Sequence, residues 1–271
     1  MSFPIRLELE HFKKLSEKYT KSKIFFPLIS AVLEKKQHGL VFTNSNITPT
    51  SFLIIHKFGF AQFFEIEESI EFDRSIIEYL TRINFIESLE LSKIRVYCTD
   101  GKWTDCFNLL KGNSFAKATR SRMIFNHPHE NVDKIGENHS LSVVDAINFE
   151  RVNRSFDLHL DKRFWNTKSD FLSNSLAVIV ADNDTITSIC YAAAVSNNCA
   201  EIDIYTSDEC RGKGQAKVNL AAFIKICDVA GIKPYWDCYK NNEPSYNLAI
   251  AMGFKLKFEY DFFVIDLSKN R

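Results

Sequence analysis

Excess charge of either sign is the first thing this sequence lacks: 34 Lys and Arg balance 34 Asp and Glu over 271 residues. Without a net field or a basic run, nothing points to a nucleic acid or a membrane surface as partner. A small neutral or mixed-charge substrate is easier to accommodate than a polyanion. Long apolar runs are missing too. No stretch approaches a membrane span, and the N-terminal MSFPIRLELEHFKKL has no apolar core of signal-peptide length. Cysteine is present but unpatterned. Seven residues (Cys98, Cys106, Cys190, Cys199, Cys210, Cys227 and Cys238) are widely spaced, odd in number and without a C-x-x-C. That argues against a disulfide framework or a zinc site, and no metal is expected. Reduced thiols in apolar runs fit a soluble, cytoplasmic protein. The nucleotide motifs G-x-x-x-x-G-K-[ST] and G-x-G-x-x-G are both absent.

What is present is an ordinary globular composition, 45% hydrophobic and 25% charged. The first half, to about residue 125, reads as mixed helix and strand. Helical spacing covers Leu7 to Tyr19 and Ser69 to Leu80. Strands are expected at Phe52 to Ile55, Phe58 to Phe64, Ile94 to Cys98 and Ala118 to Phe125. No chemical motif appears in this half. The polar segment from Asn126 to Gly136 is placed as a domain boundary, dividing an N-terminal α/β domain (1–130) from a second domain (137–271). Its His127 and His129 read as loop histidines with no third metal ligand nearby. Beyond it, strands are expected at Ser140 to Asp145, Leu176 to Ala181, Ile186 to Val195 and Glu201 to Thr206. One polar helix is read over Phe149 to Ser173. Helix and strand then alternate: Gln215 to Ala230, Pro234 to Cys238, Glu243 to Met252 and Phe258 to Leu267. Hairpins followed by alternating elements predict an α/β fold with a mixed central sheet flanked by helices.

The informative segment is Ala200 to Gly231. A strand, AEIDIYTS, runs through Asp208-Glu209-Cys210 into Arg211-Gly212-Lys213-Gly214-Gln215-Ala216 and then a long helix. That helix carries an apolar stripe at Ala216, Leu220, Phe223, Cys227 and Ala230, and Gly231 closes it. The first N–H groups of a helix lack intrahelical partners and coincide with the positive end of its dipole. A pyrophosphate can accept several of those bonds. Gly212 and Gly214 let the backbone approach closely, and Arg211 and Lys213 add positive charge.

The pattern R-x-x-G-x-A in this turn resembles the pyrophosphate signature of the GNAT N-acetyltransferase superfamily. Downstream, Tyr235-Trp236-Asp237-Cys238, Asn242, Leu248 and Gly253-Phe254 fit the same family order. The run Pro234-x-Trp236-Asp237-Cys238 with Asn242, Ser245, Leu248, Ala249 and Gly253-Phe254 resembles the zwittermicin A resistance-type GNAT subfamily. Phe164-Trp165, Asp170-Phe171-Leu172, Glu201-Ile202-Asp203-Ile204 and Thr206 look like that group as well. The strong resemblance covers roughly residues 140–265.

The resemblance implies a GNAT fold that uses acetyl-CoA as cosubstrate and acetylates an amine on a small molecule. A catalytically silent acyl-CoA-binding module, acting as sensor or interaction domain, is the alternative it leaves open. A homodimer is also left open. By position, the backbone of Ile204, Tyr205 and Thr206 would pair with pantetheine, and one N–H there would polarise the thioester carbonyl. Arg211, Gly212, Lys213, Gly214, Gln215 and Ala216 would hold the pyrophosphate, and Asn242 would bond near the pantetheine arm. Many members place a proton-donating tyrosine where this chain has Ala249. Tyr246, one turn earlier, is the substitute to test. Glu201 and Asp237 are the candidate bases, with Glu201 and Asp203 alternating onto one face of their strand. Cys238 as an acyl-carrying nucleophile is disfavoured, since direct transfer needs no covalent intermediate.

Overall fold

A computed structural model describes residues 4–108, 115–126 and 139–269. The chain forms two compact units, Met1–Arg120 with Tyr260–Arg271, and Ser121–Glu259. Most of the boundary segment read from the sequence, with His127 and His129, lies outside the described residues.

The first unit runs β1 (Ile5–Arg6), α1 (Phe12–Tyr19), α2 (Pro27–Leu33), β2 (Gly39–Thr43), β3 (Ser51–His56), β4 (Phe60–Glu65), α3 (Ile70–Arg82), β5 (Lys93–Cys98) and α4 (Gly101–Asn108). Strands β1 to β4 pair antiparallel in sequence order, and β4 pairs parallel with β5. Asp261–Asp266 return antiparallel beside β5. Helix α3 shows why these elements form. Ser69 Oγ accepts from the Phe72 N–H at 3.3 Å, Glu71 and Asp73 sit at the positive end of the dipole, and Arg82 sits at the negative end. Phe72, Ile76 and Leu80 recur at helical spacing into one core with Trp103, whose ring stacks on Phe63 at 3.4 Å. The sequence pattern overlooked α2 because PLISAVL is buried on every side and so shows no alternation of polar and apolar faces.

The second unit takes in the end of β6 (Phe115–Phe125) and then β7 (His139–Val143), α5 (Phe149–Phe156), α6 (Lys168–Asn174), β8 (Val178–Asp182), β9 (Thr185–Ser196), β10 (Cys199–Thr206), α7 (Gln215–Val229), β11 (Lys233–Tyr239), α8 (Glu243–Ala251) and the start of β12 (Phe254–Asp266). Its strand order is β12-β6-β11-β10-β9-β8-β7. Strands β7 to β10 are antiparallel neighbours, while β10 and β11 are parallel. The sheet is therefore mixed, as the hairpins-then-alternation order predicts.

The single helix read over Phe149 to Ser173 is in fact two. The backbone turns left-handed at Asp157 and His159, and Asn153 Oδ1 takes the Leu160 N–H at 2.8 Å, which ends α5. Thr167 then caps α6 by accepting from the Asp170 N–H. On α7, Leu220, Phe223 and Cys227 enter the core as the stripe requires, with Ala222 and Ile224 beside them. Ala216 is only half-buried and Ala230 is exposed. The even residues of β11, Trp236 and Cys238, and Ala200 of β10 face this same core. The odd residues therefore point to the opposite face of the sheet.

Candidate active site

Three registered pairs join β10 to β11: Cys199 with Lys233, Ala200 with Pro234 and Glu201 with Tyr235. Past Glu201 the strands have no further register, although β10 keeps its β9 partner as far as Thr206 and β11 continues to Tyr239. At that point the β9–β10 register slips by one, since Glu201 faces Ala194 while Ile202 faces Ala192. The extra residue, Ala193, is a bulge, and bulges bend a strand and increase its twist. The result is a fork with its apex at Glu201 and one arm formed by Ile202 to Thr206, all half-buried. Ser188 Oγ bonds the Tyr205 carbonyl and the Thr206 hydroxyl, both at 3.0 Å, and so fixes that arm from the β9 side.

The arm leads into the glycine turn. Ser207 N–H bonds the Thr187 carbonyl, and one short 3-10 turn follows over Asp208–Cys210. Gly212 and Gly214 adopt φ of +76° and +83°, and Gly214 is the residue on which α7 starts. Side chains are strained in that region. A Cβ at either glycine would meet nothing within 4 Å, so the space in front of the helix terminus is open. Lys213 is exposed and has no ion-pair partner among the described residues. Arg211 is paired with Asp208 at 2.7 Å on the surface, a contact worth little in water. The residues present thus fit a pyrophosphate: an open helix terminus, two cations and no side chain in the way.

Asn242 caps α8, its Oδ1 accepting from the Ser245 N–H at 3.3 Å, while Trp236 Nε1 bonds Ser245 Oγ at 3.2 Å. The cap uses the amide oxygen, and the amide nitrogen is the group with which Asn242 can donate to a ligand. Ala249 is fully buried in the core under α7, and Tyr246 packs half-buried against that core. Cys238 lies in it too, on the sheet face opposite Glu201.

At the apex the structure adds a partner that the sequence reading missed. Arg122, on β6 and 1% exposed, sets one Nη 2.8 Å from both carboxylate oxygens of Glu201. Its Nε lies 3.6 Å from Asp237 Oδ2, and its guanidinium sits 5.4 Å from the Tyr235 ring centre. The side chains of Glu201 and Asp237 are 6% and 3% exposed. Burial, with the neighbouring Cys199 thiol and Glu201 charge adding to it, pushes the Tyr235 hydroxyl up to about 12. The signal in the sequence was the placing of Arg122 in the apolar end of its strand, just before Met123-Ile124-Phe125: a charge in a buried strand needs an opposite charge beside it.

Two residues along the open arm, Asp203 takes part in a second polar group on the same face. Its Oδ2 accepts from the Tyr191 hydroxyl at 2.5 Å and lies 3.3 Å from Arg163 Nε. Burial first, and the Asp203 charge next, push the Tyr191 hydroxyl well above its ordinary value, so it stays protonated and donates. Among the described residues, no three or more His, Cys, Asp or Glu are grouped to hold a metal ion, and no helix is long and apolar enough to cross a membrane.

Comparison with known proteins gives this geometry a context. The sequence profile of the GNAT acetyltransferases matches residues 18–263. A 99-residue stretch is 38% identical to an uncharacterized N-acetyltransferase of Bacillus subtilis (strain 168), YdfB; it spans 36% of this chain and 38% of that protein. A GCN5-related N-acetyltransferase-like protein from Streptococcus suis 89/1591 superposes with a TM-score of 0.71 at 18% identity, over 94% of this chain and 99% of that one. A tandem GNAT protein from the clavulanic acid biosynthesis pathway gives 0.64 at 8% identity, over 97% and 98%. At such identities the likeness is one of fold.

Proposed function

Since the chain belongs to the GNAT acetyltransferase family, we propose that it transfers the acetyl group of acetyl-CoA directly to an amine on a small molecule. The observation that carries this reading is the fork at Glu201 leading straight into the glycine turn of α7. One feature supplies an unpaired strand arm for pantetheine, and the other supplies an anion site for the pyrophosphate. In this reading the backbone of Ile204, Tyr205 and Thr206 aligns the pantetheine, and an N–H of that arm donates to the thioester oxygen as negative charge grows on it. Arg211 to Ala216 hold the pyrophosphate, and the Asn242 amide nitrogen donates to the arm. At a finer level we place the chain with the zwittermicin A resistance-type enzymes, on the run from Pro234 to Phe254.

The thioester is already reactive, so the protein's task is to position the amine, supply it unprotonated and stabilise the oxyanion. Glu201 and Asp237 with Arg122 make a buried cluster of two carboxylates and one guanidinium at the fork. Its net negative charge favours a cationic acceptor. Proton transfer to Glu201 would have to displace a guanidinium bonded to both its oxygens, which weakens its case as a base and favours a role in holding the apex. Tyr246 is the proposed proton donor to the departing thiolate in place of Ala249. The test follows the loss of thioester absorbance when acetyl-CoA is mixed with a panel of simple amines (ethanolamine, phenethylamine, 1,4-diaminobutane, glycinamide and aniline). Amine-dependent loss supports the assignment. Tight acetyl-CoA binding with no turnover on any amine contradicts it.

A further inference from the structure

Of the three carboxylates on the fork face, only one has an open oxygen. Glu201 has both oxygens engaged by Arg122, and Asp237 is 3% exposed beside the same guanidinium. Asp203 is 30% exposed, and both its contacts fall on Oδ2. Among the described residues nothing bonds its Oδ1. Asp203 also stands on the open arm of β10, two residues past the apex, between the Ile202 and Ile204 side chains that face α7. A carboxylate is therefore held rigidly from one side, by a phenol and a guanidinium, and presents its other oxygen beside the strand that pantetheine would follow.

We propose that Asp203 is the catalytic carboxylate of this enzyme: it pairs through Oδ1 with the ammonium of an alkyl amine acceptor and takes its proton, with Tyr191 and Arg163 as positioning residues. This rests on the acetyl-transfer reading above. An alkyl ammonium has no lone pair with which to attack, so losing one proton to Asp203 is what makes it a nucleophile. The free amine nitrogen then bonds to the thioester carbon. As the tetrahedral species collapses, the C–S bond breaks and its electron pair leaves with sulfur. The thiolate takes its proton from the Tyr246 hydroxyl, the second proton of the acylated nitrogen passes to the tyrosinate through water, and Asp203 returns its own proton to water. Amide, thiol and one released proton balance the ammonium and thioester consumed.

The charged and titratable groups around Asp203 are Tyr191 and Cys190 of β9, Arg163 of the loop before α6, and, along the same face, Glu201 with Arg122. The raised Tyr191 hydroxyl and raised Cys190 thiol stay neutral through the physiological range. Arg163 sets its Nε 3.3 Å from Asp203 Oδ2. Asp203 is thus the carboxylate that an alkyl ammonium meets on the open arm.

The proposal also predicts a chemical selectivity. An aryl amine is already neutral near pH 7 and needs no base, so it should be indifferent to Asp203. The test is thioester loss by the full chain with phenethylamine or 1,4-diaminobutane, and with aniline, comparing the parent with Asp203→Asn, Tyr191→Phe and Asp203→Glu. Asp203→Asn should lower kcat/KM for the alkyl amines about a hundredfold at pH 7 and regain most of it by pH 10. Its acetyl-CoA affinity and its aniline rate should stay within about twofold of the parent. Tyr191→Phe should show a smaller loss of the same pH form, and Asp203→Glu should rescue part of the rate. An unchanged alkyl-amine rate in Asp203→Asn, or an equal loss with aniline, overturns the proposal while leaving the acetyl-transfer reading intact. Failure of the parent to consume acetyl-CoA with any amine sinks that reading, and this proposal with it. Lost acetyl-CoA affinity in Asp203→Asn would assign the residue a structural role and overturn the proposal as well.

Discussion

Replacing Arg122 with methionine should be the most damaging single change at the fork. The guanidinium is 1% exposed, and the carboxylates it serves are 6% and 3% exposed, so its loss leaves two negative charges buried side by side. Breaking a buried ion pair by removing one partner costs about 3–5 kcal/mol. The unit Ser121–Glu259 should unfold with an entropy of roughly 0.3 kcal/mol/K at the per-residue value typical of globular proteins. Its transition should then fall by roughly 10–17 °C. The chain can relieve the strain by taking up protons, because burial beside a like charge raises a carboxyl group. The gap between parent and Arg122→Met should therefore narrow as the pH is lowered from 8 to 5. Adding Glu201→Gln and Asp237→Asn to Arg122→Met removes both charges and should recover more than half of the lost stability. Scanning calorimetry at several pH values measures all three effects. A loss under about 1 kcal/mol that does not change with pH would show that the pairing does not hold the apex, and the reasoning built on it would fail.

In the first unit, burial lowers His56 from 6.5 to about 3, aided by Lys57 and His38. Its Nδ1 accepts from the Phe58 N–H, which leaves Nε2 as the donor to Gln37. The stability this neutral ring gives is full above pH 6.5 and is lost as pH falls towards 3, about 3 kcal/mol of it between pH 7 and pH 4. His56→Gln should flatten that acid limb in urea titrations; an unchanged limb would refute the assignment. Phe223→Ala, in the core between α7 and the sheet, should cost about 3–5 kcal/mol by the cavity it leaves, measured by calorimetry. Tyr246→Phe should slow thiolate protonation and lower kcat without weakening acetyl-CoA binding, and equal kcat values would remove Tyr246 from the acid role.

The second unit was legible in the sequence because its elements are bounded by local chemistry. Gly212, Gly214 and Gly231 all take positive φ, and the α7 stripe is regular from Leu220 to Cys227. Elements without an alternating face, such as α2, left no periodic trace. Neither did the turn at Asp157, where an acidic residue takes a conformation more often left to glycine or asparagine. The turn proposed as the anion site could be singled out because helix-terminus geometry is local. The carboxylates could be listed but not ranked. Their ranking depends on Arg122, 79 residues before Glu201, and on Tyr191 and Arg163, which the pairing of β9 with β10 and the loop before α6 bring to Asp203. Only the folded sheet shows which oxygen is left open.

If the turn from Arg211 to Ala216 holds the pyrophosphate, calorimetric titration of coenzyme A into the full chain will report it. Gly214→Asp adds a side chain and a negative charge in open space ahead of α7, where a Cβ meets nothing within 4 Å, so the fold should survive. The parent should bind coenzyme A, and folded Gly214→Asp should lose at least about a hundredfold in affinity, as repulsion of the phosphates and the blocked helix terminus require. Equal affinities in the two folded proteins would show that the pyrophosphate does not sit on this turn.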